Sequence, residues 1–120
     1  MTQTLRNTEE RIEGAAGLNL FVRSWRPESA GRGVVAIIPG FNAHSGYYAW
    51  AGEQLAADGL AAYAVDLRGR GQSDGERFYI DTFADYVSDA GSLVNLVKSR
   101  EPGLPVFLLG HGASGAASTL

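Results

Sequence analysis

The sequence predicts an α/β domain, a mostly parallel sheet with an antiparallel hairpin at its N-terminus. Three observations carry this. VVAII (Val34–Ile38), LAAYAV (Leu60–Val65) and VFLL (Val106–Leu109) are continuously apolar runs of strand length, the pattern of strands covered on both faces. The segments between them have helical periodicity, and strand–helix alternation of this kind builds parallel sheets. Ahead of them, two strand-like runs flank GAAG (Gly14–Gly17), a hairpin signal.

Each element has its own signal. The hairpin runs span Thr8–Glu13 and Leu18–Trp25. In the second, Leu18, Leu20 and Val22 alternate with Asn19, Phe21 and Arg23, which predicts one covered face. PESAGRG (Pro27–Gly33) is a loop. After the first buried strand and Pro39-Gly40, a helix is predicted with Ser45 as its cap. Tyr47, Trp50, Ala51 and Leu55 form its apolar stripe, and Gly59 stops it. The strongest helix begins at Asp81. Phe83, Tyr86, Val87, Ala90, Leu93, Val94 and Val97 recur at i, i+3, i+4, i+7, i+10, i+11 and i+14, and Pro102-Gly103 ends it.

Composition removes several classes of function. Of 120 residues, 45% are hydrophobic and 19% charged, which suits a packed domain and argues against disorder. A net charge of −3, with no run of Lys or Arg, leaves no nucleic-acid footprint. The absence of cysteine excludes disulfides and thiolate chemistry. The start MTQTLRNTEERIEG has no apolar core of a secretory signal, and no stretch reaches the roughly 18 apolar residues of a membrane span. A soluble, cytoplasmic protein is the expectation.

In open sheets of this kind, ligands bind at the carboxyl ends of the strands. Three loops leave those ends: PGFNAHSG, DLRGRGQSDG and GHGASG. The second invites a phosphate reading. It lacks the Gly-Lys-Ser/Thr ending of a P-loop and does not lead directly into a helix. Two isolated histidines, His44 and His111, give no metal-ligand spacing. The third loop follows a strand and opens on small residues, the way a nucleophilic serine is presented above a parallel sheet. Gly112-Ala113-Ser114-Gly115-Ala116 satisfies the small-x-Ser-x-small rule of that strained turn. Ser114 is therefore a candidate nucleophile; its alternative role is to begin or cap the following helix. Ser118, one helical turn on, is read as a packing residue.

With these loops in view, the chain resembles the N-terminal half of an α/β-hydrolase, and among these the monoacylglycerol lipase and lysophospholipase-like serine hydrolases. PGFNAHSGYY (Pro39–Tyr48) resembles that family's HG-x-G-E-H-S-x-R-Y loop. DLRGRGQSDG (Asp66–Gly75) resembles its D-x-x-G-x-G-x-S-x-G loop, and PGLPVFLLGH (Pro102–His111) the strand entering the nucleophile elbow. The order and spacing of the three also match, over nearly the whole chain.

The departures are specific. The resemblance places the nucleophile directly after Gly110-His111, where this chain has Gly112. Pro39 stands for the usual histidine of the oxyanion loop, and Asn42 and Ala43 for Gly and Glu. The family's chain order of Ser, acid, then His places the acid and the base downstream of the elbow.

The resemblance implies a serine hydrolase, a carboxylesterase or lipase acting on small or lipid-like esters without a cofactor. Backbone N–H groups would hold the oxyanion: Phe41 from the first loop, with Gly115 if Ser114 attacks, or Ala113 in the family's own register. His44 is expected to brace the oxyanion loop and His111 to pack beside the elbow. Asp66 and Asp74 are expected to hold neighbouring turns, and Tyr47, Tyr48, Trp50 and Phe78 are candidates for the lining of an acyl pocket, although Tyr47 and Trp50 at helical spacing also suit the core. The resemblance places the 120 residues within one domain, with a second segment expected to complete it. Without that segment, runs such as VVAII and VFLLG would leave an apolar sheet edge open. A second reading also stands: a catalytically dead α/β-hydrolase-like binding domain, with Gly112 recording the loss of the nucleophile.

Overall fold

In a computed structural model, residues 5–27, 31–40, 43–77 and 83–110 are described. Strands β1 (Leu5–Glu13) and β2 (Asn19–Pro27) are joined by a short 3-10 turn, Ala15–Gly17. Next come β3 (Gly33–Ile38), a 3-10 turn over Ser45–Tyr48, helix α1 (Ala49–Ala57) and β4 (Leu60–Val65). Helix α2 (Phe83–Arg100) and β5 (Val106–Gly110) complete the order. The start of α2 predicted at Asp81 lies outside the described residues.

The strands form one five-stranded sheet in the order β1-β2-β4-β3-β5. β1 pairs antiparallel with β2, from Leu5 opposite Pro27 to Glu13 opposite Asn19. β2 also runs antiparallel to β4, whereas β3 is parallel to both β4 and β5. This is the mixed sheet with an N-terminal hairpin that the sequence predicts.

Side-chain alternation divides the core into two layers. Leu20, Val22, Val34, Ala36, Ile38, Ala61, Tyr63 and Val65 pack with Tyr86, Ala90, Leu93 and Val97 of α2. The intervening Trp25, Ile37, Ala62 and Ala64 pack with Ala56 of α1. The continuous apolar composition of β3 and β4 follows from this, because both of their faces carry a helix. The α2 stripe behaves as its periodicity predicts, with Tyr86, Ala90, Leu93 and Val97 buried.

Four expectations need correction. β2 is covered on both faces: Leu20 and Val22 are buried on one, Phe21 and Trp25 on the other. The Phe21 ring lies beneath the guanidinium groups of Arg11 and Arg23, 5.6 and 5.0 Å from its centroid, so long charged side chains screen the face that pattern assigned to water. In α1 the stripe is rotated. Tyr47 is 68% and Trp50 73% exposed, while Gly52 and Ala56 face inward. The indole of Trp25 occupies the space a Cβ on Gly52 would need, so the helix approaches β2 through its smallest residue. Ser45 lies inside the 3-10 turn rather than capping it; the cap is His44, whose side chain accepts the Gly46 N–H. Finally, β5 is not buried. Phe107, Leu108 and Leu109 are 55%, 47% and 45% exposed, because β5 is the outer strand and pairs with β3 alone among the described strands.

Candidate active site

The parallel register brings the predicted loops to one end of the sheet. Ile38, the last residue of β3, lies opposite Gly110, the last of β5. The loop beginning Pro39-Gly40 and the segment beginning at His111 therefore leave neighbouring strands at the same level. β4 ends at the same side and delivers Asp66. Phe41, Asn42, Phe78, His111, Gly112, Ala113, Ser114, Gly115 and Ser118 lie outside the described residues, so the predicted nucleophile and oxyanion donors are located here only by the strands that lead to them.

The first loop is built around two hydrogen bonds to side chains. Ala43 N–H donates to the Gly40 carbonyl at 2.9 Å, closing the turn after β3. His44 Nδ1 accepts the Gly46 N–H at 3.0 Å, and its ring stands 4.3 Å from that of Tyr47. His44 thus braces the loop, the role expected of it, and its Nδ1 lone pair is already engaged. Ser45, fully buried, gives its N–H to Asp66 Oδ1 at 2.6 Å.

Asp66 is the hub beneath the loops. Its carboxylate is buried and satisfied by main-chain donors, Ser45 N–H on Oδ1 and Gln72 N–H on Oδ2 at 2.9 Å. Its own N–H donates to the Phe21 carbonyl at 2.8 Å, and its carbonyl accepts the Ser73 hydroxyl. Ser73 Oγ in turn accepts the Phe21 N–H at 2.8 Å. Asp74 and Asn19 exchange hydrogen bonds, Asn19 N–H to Asp74 Oδ2 at 3.0 Å and Asp74 N–H to the Asn19 carbonyl at 2.9 Å. Both aspartates therefore hold turns.

The same inventory answers the phosphate reading of the glycine-rich loop. An anion cradle needs free, convergent N–H groups. Here Arg68 N–H goes to Asp89, Gly69 N–H to the Asp74 carbonyl, Arg70 N–H to the Leu67 carbonyl, Gln72 N–H to Asp66 and Ser73 N–H to the Arg70 carbonyl. These five N–H groups are thus engaged within the loop or with α2. Among the described residues, no group of three or more His, Cys, Asp or Glu side chains is placed to hold a metal ion.

An apolar cleft of about 390 Å³ opens between the first loop and β5, lined by Ala43, Tyr47, Tyr48, Leu109 and Gly110. Tyr47 and Tyr48 were candidates for such a lining. Trp50 is not part of it. Leu109 and Gly110 were missed because sequence reading assigned them to a buried strand; the signal was their position at the carboxyl end of a parallel strand. Also unforeseen is Arg23, whose Nε donates to Ser45 Oγ at 3.1 Å.

A mixed sheet with a helix on each face and its loops gathered at the carboxyl ends of the parallel strands is the architecture of an α/β-hydrolase. Comparison with known proteins agrees. The family model described as serine aminopeptidase, S33 matches residues 29–120, and the chain belongs to that family. A monoacylglycerol lipase of Mycolicibacterium smegmatis is 33% identical over 108 residues, covering 90% of this chain and 39% of the relative. The monoglyceride lipase of Homo sapiens is 38% identical over 109 residues, 91% of this chain and 36% of the relative. Among solved structures, a thermostable carboxyl esterase from Bacillus coagulans, in complex with glycerol, superposes with a TM-score of 0.83 at 23% identity, covering 95% of this chain and 39% of that one. Est1E from Butyrivibrio proteoclasticus gives 0.80 at 23% identity, covering 92% and 45%. The chain thus spans under two-fifths of the length of these curated relatives. No helix among the described residues is long and apolar enough to cross a membrane.

Proposed function

We propose that this chain forms the N-terminal part of a single α/β-hydrolase domain in a monoacylglycerol lipase-like serine hydrolase, which cleaves small or lipid-like carboxylic esters through an acyl-enzyme. The observation that carries the reading is the pairing of Ile38 with Gly110. Strands that end side by side support a nucleophile carried after Gly110 and an oxyanion donor carried after Gly40, the neighbourhood acyl transfer requires. The lipase relatives supply the substrate class, and the apolar cleft beside Leu109 suits an acyl chain.

In this reading Ser114 Oγ attacks the ester carbonyl carbon while its proton passes to a histidine supplied by the remainder of the protein and oriented by a carboxylate there. The carbonyl oxygen becomes an oxyanion held by the N–H groups of Phe41 and Gly115, with Ala113 the donor in the family's own register. Collapse expels the alcohol, which takes the proton from the histidine. Water then attacks the acyl-enzyme, returns its proton through the same histidine and releases the carboxylic acid and free Ser114. The chemistry needs no cofactor, and the same remainder supplies the segment that completes the fold.

Gly112 favours a second reading, an α/β-hydrolase-like binding domain without turnover. A fluorophosphonate separates the two. The full-length protein is incubated with the probe, and its intact mass and modified peptide are determined. An adduct on Ser114, lost in Ser114→Ala, supports the hydrolase. An unmodified protein supports the binding domain.

A further inference from the structure

We propose that Arg23, on the N-terminal hairpin, is a positioning residue for the cleft at the carboxyl end of the sheet, acting through the hydroxyl of Ser45. The proposal rests on the hydrolase reading for its kinetic consequence and on geometry alone for its structural one.

The loop that walls the cleft, residues 43–48, is tied to the sheet at Ser45. Two anchors converge on Ser45. From below, Asp66 takes its N–H at 2.6 Å. From the side, Arg23 Nε donates to its Oγ at 3.1 Å. Ser45 is fully buried, so its hydroxyl would need another partner if the arginine were removed.

Arg23 is itself fixed. Its Nη1 is bonded to Glu9, and its guanidinium lies over the Phe21 ring. A polar cleft of about 340 Å³ lies between the hairpin and α1, with Asn7, Thr8, Glu9 and Trp25 on one side and Gly46, Ala49 and Glu53 on the other. Arg23 joins the two sides. The hairpin thus does more than extend the sheet: it fixes the loop carrying Tyr47 and Tyr48, which face Leu109 across the apolar cleft.

The guanidinium is suited to this because its fork serves two acceptors in fixed geometry, whereas an ammonium is a point charge on a flexible stem. Charge alone therefore does not replace it. Glu9 holds the other branch of the fork, Nη1, so changing it loosens Arg23 without removing the bond to Ser45.

The test uses full-length protein with Arg23→Met, Arg23→Lys, Ser45→Ala, Glu9→Gln and the Arg23→Met/Ser45→Ala pair. Two quantities are measured: kcat/KM on a short p-nitrophenyl ester, and amide hydrogen exchange of the peptide spanning 43–48. Loss of a hydrogen bond to a charged group corresponds to about a tenfold effect or more. Arg23→Met, Arg23→Lys and Ser45→Ala are each expected to lower kcat/KM about tenfold and to speed exchange by a similar factor. The double variant falls no further than either single one, and Glu9→Gln, which leaves the bond from Arg23 to Ser45 in place, shifts both quantities less than Arg23→Met does. Additive losses in the double variant, or unchanged exchange in Arg23→Met, overturn the proposal. A wild-type protein that hydrolyses no ester overturns the hydrolase reading instead, and the exchange data still decide whether Arg23 positions the loop.

Discussion

Gly71 and Asp66 are matched to one another. Gly71 has φ +50, and a Cβ built on it would overlap Asp66 Oδ2 and lie 2.9 Å from His44 Cβ. The glycine of the second loop is therefore what lets a buried carboxylate reach both Gln72 and Ser45 and so tie the two loops together.

Gly71→Ala is expected to destabilise the protein by about 1–3 kcal/mol, from a strained backbone and an overfilled site. Asp66→Ala strands two N–H groups, at a cost of about 1–3 kcal/mol each. Because the new methyl group occupies space the carboxylate vacates, the double variant should lose less than the sum of the two. Urea unfolding of the three variants measures this; strict additivity would show that the two residues do not share the space.

Tyr63 gives a prediction at alkaline pH. It donates to Glu101 Oε2 at 2.8 Å, and Glu101 is also paired with Arg26 Nε at 2.9 Å. Burial, then the hydrogen bond and charge of Glu101, raise the Tyr63 phenol above its ordinary 10.0. A raised phenol stabilises the fold while it stays protonated, so its contribution is complete below pH 10 and is lost as pH climbs toward the folded value. Between pH 10 and 12 the wild type should lose stability by up to about 1.4 kcal/mol per pH unit more than Tyr63→Phe. At pH 7 the order reverses, with Tyr63→Phe weaker by about 1 kcal/mol for the lost hydrogen bond. Thermal melts from pH 7 to 12 would show the two curves converging and then crossing; parallel curves would refute the assignment.

The two helices show where sequence was readable and where it was not. Periodicity located Tyr86, Ala90, Leu93 and Val97 because large side chains on α2 meet a flat sheet face. The same rule chose Tyr47 and Trp50 for α1 and was misled there, since Trp25 fills the space above β2 and Gly52 and Ala56 are the buried residues against it, although Leu55 of the predicted stripe does pack on this layer. The strand order was not written in any local pattern: which strand lies beside β3 depends on long-range pairing. At the site, the loops were legible from their glycines at the strand ends, and the tethering role of Asp66 from the family resemblance. Arg23 was not, because a contact between a hairpin arginine and a serine 22 positions away leaves no trace in sequence.

Asp89 and Arg68 form the tether between the second loop and α2. The buried Asp89 carboxylate accepts from Arg68 N–H at 2.9 Å and from the guanidinium at 2.8 Å and 3.2 Å. Asp89→Ala leaves a largely buried cation facing a cavity, a loss of about 3–5 kcal/mol. Asp85 sits 3.7 Å from the same guanidinium and is more exposed; Asp85→Asn should cost under about 1 kcal/mol. Denaturant midpoints of the pair separate the two contributions, and equal losses would contradict the burial difference.

The outer strand supplies the last prediction. β5 shows apolar side chains on both of its faces, with Phe107 and Leu108 about half exposed, and among the described strands it pairs only with β3. An open apolar strand of this kind is a template for another strand. Expressed by themselves, the 120 residues should self-associate at micromolar concentration and bind a hydrophobic dye. Charges placed on such an edge suppress pairing, so Phe107→Lys/Leu108→Lys should shift the isolated chain toward monomer in sedimentation velocity. In the full-length protein the same change should have the opposite merit. If the remainder of the domain packs on β5, as the proposed function requires, the two lysines are buried there without partners and should destabilise it by several kcal/mol. A variant that leaves full-length stability intact would place the completing segment elsewhere, and with it the histidine and carboxylate assigned to the reaction.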